Sequence, residues 1–126
     1  MNGTLVFDGN CGFCTRSRNL LVRLDRHHRI HTLAYQQPHV PPQFGIDRDQ
    51  LARAAYWFDA DGTHCSGAAA INSALSAALG TQLPLQLYRL PGIHQLQDTA
   101  YHWIATHRHR LPGTTPWCHT YPNHCH

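Results

Sequence analysis

Two cysteines stand two residues apart in "LVFDGNCGFC", and an aspartate, Asp8, lies three residues before the first of them. Thiols at this spacing support dithiol–disulfide exchange, form half of a metal site, or simply sit in a turn. Context separates these readings. The run Thr4–Phe7 is apolar and strand-like, Asp8-Gly9-Asn10 is turn chemistry, and a helical pattern starts at Gly12. Cys11 then falls at the helix entrance and Cys14 one turn inside. Unpaired N–H groups and the partial positive charge of a helix N-terminus stabilise a thiolate. A thiol there ionises below its free value near ~8.5. Cys11, closer to the end, is expected to be the more exposed sulfur and the nucleophile. Cys14 is placed to attack the mixed disulfide and release product. Arg16 adds positive potential if its side chain turns back. Asp8 opposes ionisation of a nearby thiol. It is read either as a group that takes up and returns a cysteine proton or as an Asx-turn residue, and spacing alone does not choose.

The remaining chemistry-bearing residues point less sharply. Cys65 is expected to behave as a small hydrophobe. Cys118 is either a third thiol near the site or a tail residue packed beside Trp117. The tail also holds His119, His124, Cys125 and His126, but these spacings match no regular zinc finger or ribbon. A disordered end is favoured over metal capture, and no metal or cofactor is assigned. Arg108 and Arg110 are weak candidates for binding an anionic substrate. Pairing with an aspartate or capping a helix is favoured for them. Trp57, Trp103 and Tyr101 are read as packing residues.

These residues need elements to hold them. A first helix from Gly12 to Arg26 places Phe13, Leu20, Leu21 and Leu24 on one face. "RIHTLAY" reads as a second strand, and "QQPHVPPQFGIDRDQ" as an irregular, proline-rich link with one helical turn. "ARAAYWFDADGTHCSG" reads as a hairpin. Ser66 is a candidate cap for a helix from Gly67 to Leu79, with Ile71, Leu75 and Leu79 on one face and Gly80 as its stop. Two more helical patterns cover 84–90 and 93–109, and the tail, about 111–126, is expected to be irregular and loosely held. The order is β-α-β-(α)-β-β-α with a C-terminal helical extension. That is a thioredoxin-like α/β core with one parallel pair, expected to be a single domain over 1–126.

Composition narrows the partners. Charged residues make up 13% of the 126, every one of the ten basic residues is Arg and every one of the seven acidic residues is Asp. The formal charge is +3, with twelve His that charge in mild acid. The Arg/His clusters "RLDRHHRIH" and "HRHR" accompany no nucleic-acid motif, so no nucleic-acid partner is expected. No apolar run approaches the ~20 residues of a membrane span, and the N-terminus lacks a leader-like pattern. A cytoplasmic location is therefore expected, where structural disulfides are rare. The five cysteines are accordingly expected to be catalytic, metal-bound or free.

"FDGNCGFC" resembles the signature of the DCC family of thiol-disulfide oxidoreductase-like proteins, with Asp8, Cys11 and Cys14 as its three defining residues. The resemblance continues through Asp25, "WFDADG", "SGAAA" and "YHWIATHRHRLPG" to about Cys118. It implies a thioredoxin-like fold and dithiol–disulfide exchange with a disulfide-containing protein or a low-molecular-weight thiol. Thioredoxins carry a cis-proline before the third strand, whereas this chain has Gln50, Leu51, Ala52 and Arg53 there. The alternative is a thioredoxin-like binding module without turnover, holding a metal or a partner protein.

Overall fold

The structure is a computed structural model and describes residues 2–125. Its centre is a four-stranded sheet of β1 (Gly3–Phe7), β2 (Ile30–Ala34), β3 (Tyr56–Asp59) and β4 (His64–Ser66), in the order β2-β1-β3-β4. β1 and β2 are parallel, with Phe7 opposite Ala34. β1–β3 and β3–β4 are antiparallel. The parallel pair is joined by α1 (Gly12–Leu24), as a βαβ crossover requires. α2 (Val40–Phe44) and α3 (Arg48–Arg53) lead from β2 to β3, and α4 (Ala68–Leu79) follows the hairpin. This is the thioredoxin-like α/β core. α5 (Leu83–Tyr88), α6 (Ile93–His107) and a 3₁₀ turn at Arg108–Arg110 form the extension.

Strand alternation builds two apolar layers. Leu5 and Trp57 face α1 and α4, meeting Leu21, Ala70, Ala74 and Ala77. Val6 and Phe58 face the other way, against Val40 and Leu51 of α2 and α3. The central strand β1 is thus buried on both faces, and its C-terminal end is fixed in space. That end carries Asp8 and the cysteine turn.

Several expectations change. α1 stops at Leu24, because Asp25 turns its buried carboxylate to the N–H groups of Arg29 and Ile30 (2.9 Å each). Leu20, expected in the core, is 56% exposed. Ser66 ends β4 and caps nothing. Gly67, at φ +68°, precedes α4, and Gly80, at φ +72°, ends it. α4 lies against the sheet through Ala70, Ala74 and Ala77 and also buries Ala68 and Ala78, while Leu79 is exposed. Small side chains let this helix approach closely, a signal that a search for large apolar residues overlooks. The tail is ordered over its described residues: α7 (Trp117–Thr120) and a 3₁₀ turn (Pro122–His124) pack on the sheet end. His126 lies outside the described residues. No helix among them is long and apolar enough to cross a membrane.

Candidate functional site

Asp8 is the first residue beyond β1, and it organises the turn. Its Oδ1 accepts from the N–H of Asn10 (3.0 Å) and its carbonyl from the N–H of Cys11 (3.2 Å), an Asx-turn that delivers the chain into α1. Gly9 leaves no room for a side chain, since a Cβ there would stand 2.6 Å from Cys118 Sγ and 2.9 Å from Ala34 Cβ. Cys11 then takes the N-cap position of α1 in extended backbone, and its sulfur accepts from the N–H of Cys14 at 3.1 Å. Sulfur stands here where a serine or aspartate oxygen more often satisfies an orphan N–H.

The two sulfurs are electrostatically unequal. The Cys14 thiol hydrogen-bonds to Cys11 and, over the opposition of burial, brings the Cys11 thiol down to about 7. The Cys14 N–H and the Arg108 guanidinium add to this, and Asp8 opposes it. Cys14 is pushed up, chiefly because its proton is shared with the Cys11 thiolate, then by burial and by that same negative charge. Both are free thiols in the structure. The positive charge at the pair comes from Arg108, while Arg16 points into solvent.

Accessibility reverses the sequence expectation. Cys11 has no exposed surface, whereas Cys14 is half-buried. The C-terminal segment crosses the start of α1 as a strap. The Thr114 N–H donates to Gly12 O (3.2 Å), the Trp117 N–H to Thr15 Oγ1 (3.1 Å) and the Cys118 N–H to Gly9 O (2.9 Å). Cys118 is not a third thiol: it is bonded to Cys125. Two of the five cysteines are therefore paired, against the expectation of catalytic, metal-bound or free thiols. The seven-residue separation of this pair carried no signal that the tail would fold back. Cys65 is half-buried at the edge of the Leu5–Trp57 layer, as a small hydrophobe would be.

Arg108 and Asp8 meet, 100 residues apart in sequence. Arg108 Nη2 lies 3.0 Å from Asp8 Oδ2 and also donates to Ala52 O (2.8 Å). The structural reading of Arg108 is the one observed, and Arg110 is exposed at the end of the 3₁₀ turn. Gln36, which sequence reasoning missed, is buried beside them. Its Nε2 donates to Asp8 Oδ1 (2.6 Å) and its Oε1 accepts from the Gly9 N–H (2.9 Å). Its only signal was position, two residues beyond the strand that pairs with β1. A small, mainly apolar cavity of about 80 Å³ opens beside Cys14, between Asp8, Phe13, Ala54, Ala55, Tyr101 and Arg108. The two alanines lie between α3 and β3. Tyr101 OH accepts from the Ala55 N–H (2.9 Å) and ties α6 to that edge.

Among known proteins, comparison with curated sequences and with solved structures finds no match. The family described as DCC1-like thiol-disulfide oxidoreductase matches residues 5–114. That span begins in β1 at Leu5, takes in the aspartate-cysteine turn, the other three strands and the Arg108 that closes on Asp8, and ends four residues before Cys118. The chain belongs to the DCC1-like thiol-disulfide oxidoreductase family.

Proposed function

We propose that the chain is a dithiol–disulfide oxidoreductase acting through Cys11 and Cys14 on a disulfide-containing protein or a low-molecular-weight thiol, in the cytoplasm. The carrying observation is the asymmetry of the pair: Cys11 receives hydrogen bonds from both the N–H and the thiol of Cys14 and ionises near neutrality. The Cys11 thiolate attacks a substrate disulfide, forming one S–S bond and expelling a substrate thiolate. Cys14 then attacks the Cys11 sulfur, expels the second substrate thiolate and closes the Cys11–Cys14 disulfide. Two electrons pass to the substrate.

The pair's electrostatics favour this sequence of steps. Cys14 holds its proton mainly because a Cys11 thiolate accepts it. Once Cys11 is in a mixed disulfide, that acceptor and its charge are gone, so Cys14 ionises more readily when it must attack. Asp8 lines the same cavity and is the proposed acceptor for this proton. Its Oδ1 is engaged by Gln36 and Asn10, and its Oδ2 by Arg108 with acceptor capacity to spare. Arg108 is a positioning residue that holds Asp8 and favours the thiolate.

The test is a redox titration of the full chain against glutathione buffers, with the Cys11–Cys14 disulfide quantified by alkylation and mass spectrometry. A reversible two-electron transition is expected, and Cys14→Ser is expected to trap a mixed disulfide. If Cys11 and Cys14 form no intramolecular disulfide at any poise, the reading fails. A binding module without turnover is then the better account, and the burial of Cys11 favours it. A metal-holding tail is disfavoured, because Cys118 and Cys125 are bonded to each other and offer no thiolate ligands.

A further inference from the structure

The nucleophile of the proposed reaction is sealed. Cys11 is completely covered, although it stands at a helix end where a thiol is normally open to solvent. A single pass of chain, from Gly113 to Cys118, is laid on the backbone of the cysteine turn, and Arg108 and Tyr101 of the helical extension also stand near the thiol. Contact is so close that a Cβ on Gly113 would fall 2.3 Å from Gly12 C and 2.4 Å from Phe13 N. A Cβ on Gly12 would fall 2.5 Å from Thr114 O. Three hydrogen bonds fasten the strap to Gly9, Gly12 and Thr15, all within the turn and the first helical turn beyond it.

The far end of the strap is held differently. Cys118 is buried against Phe7 and Ala34, and Cys125 packs on the same cluster through its bond to Cys118. The loop so closed wraps Trp117, whose ring meets Phe7 edge-on and lies 4.9 Å from Tyr121 and 6.0 Å from His124. The two sulfurs of this disulfide differ in access, since Cys118 is 5% exposed while Cys125 is half-buried. A disulfide in a reducing compartment is as a rule cycled or sensing. The pair also lies beyond the residues matched by the family, so the family match does not assign it.

We propose that Cys118–Cys125 is a second redox centre, opened by an external dithiol, and that its reduction releases the strap and uncovers Cys11. The attacking thiolate of the dithiol bonds to Cys125 Sγ, the more accessible sulfur, and Cys118 leaves as thiolate and takes a proton. The second thiol of the reductant then displaces Cys125, leaving two protein thiols and an oxidised reductant. Two electrons enter the tail and none leave the Cys11–Cys14 pair. Breaking the bond returns loop-closure entropy to the tail. The strap is then held by its three hydrogen bonds and by the packing of Trp117 and Cys118 on Phe7 and Ala34, without the covalent closure.

This inference rests on Cys11 being the reactive sulfur, and its test does not require Cys11 and Cys14 to form a disulfide. In the full chain carrying Cys14→Ser and Cys65→Ser, the rate of Cys11 alkylation by iodoacetamide is measured with the tail disulfide intact. It is measured again after addition of dithiothreitol, with Cys11 modification resolved from that of Cys118 and Cys125 by peptide mass spectrometry. Reduction of the tail under native conditions is expected to speed Cys11 alkylation on the order of tens-fold, as loss of a short loop closure implies. Gly113→Ala, which displaces the strap while keeping the disulfide, is expected to give a comparable increase without reductant. Equal Cys11 rates in the two redox states overturn the proposal. So does a tail disulfide that dithiothreitol reduces only when the chain unfolds. Failure of the oxidoreductase reading shows separately, as a missing Cys11–Cys14 couple in the titration.

Discussion

Replacing Cys14 by alanine tests the electrostatic core of the site. In the folded chain the Cys11 thiol lies at about 7 against an ordinary 9.0. That lowering corresponds to a preference of about 3 kcal/mol for the thiolate. The largest cause is the Cys14 thiol donating to Cys11, and Cys14→Ala deletes that donor. The Cys14 N–H bond at 3.1 Å and the Arg108 charge remain. If the deleted bond supplies half of the lowering, the titration midpoint rises by ~1 unit. The thiolate fraction at neutral pH then falls from about one half to about one tenth. The assay is the pH dependence of Cys11 alkylation in wild type and variant. Coverage by the strap scales the rate at every pH and leaves the midpoint alone, so the two effects separate. A midpoint that stays put or falls in Cys14→Ala refutes the account, because the thiolate would then owe its stability to the helix end and not to its partner.

Three further outcomes are expected. Cys11, with its pKa lowered in the fold, contributes stability that is present above about 9 and lost as pH falls through about 7. Cys14, raised in the fold, contributes stability present below 9.0 and lost as pH rises beyond it. The melting temperature of the dithiol form relative to Cys11→Ser should therefore climb between pH 7 and 9 and decline above, and a flat difference would contradict the pairing. Arg108→Gln leaves the buried Asp8 carboxylate without its cation and should cost about 3 kcal/mol in urea unfolding. It should also raise the Cys11 midpoint, since Arg108 lowers it. Trp57→Ala, at a ring that is 1% exposed between β1 and α4, should cost ~3–5 kcal/mol. A loss below ~1 kcal/mol would mean that the Leu5–Trp57 layer is not the main core.

The β-α-β order, the hairpin and the helical extension were legible in the sequence because they rest on local signals. β1 alternates between two buried faces, Asp8-Gly9-Asn10 turns the chain, and Gly80 at φ +72° stops α4 where a glycine was expected to stop it. The alanine face of α4 was not legible. Its burial depends on how closely the helix approaches the sheet, and that distance is a property of the packed layers. The first helix shows the same division, since its apolar pattern was plain while the exposure of Leu20 depends on which neighbours arrive.

The candidate site divides in the same manner. Sequence alone determined the Asp8-Cys11-Cys14 unit and its place at a strand-to-helix turn, because three residues within seven positions need only local geometry to meet. Tertiary structure decided everything that arrives from afar. Arg108 reaches Asp8 across 100 positions and Gln36 across 28. The strap comes back over Gly12 from position 114, and Cys118 finds Cys125 rather than the active pair. Spacing identified which sulfur sits at the helix end, and the Cys14 thiol bonded to that sulfur is the largest cause of its charge. Which sulfur solvent reaches was set by the packing around the turn, and it is the other one. A helix terminus favours a thiolate through its own N–H groups, whereas exposure depends on whatever else packs there.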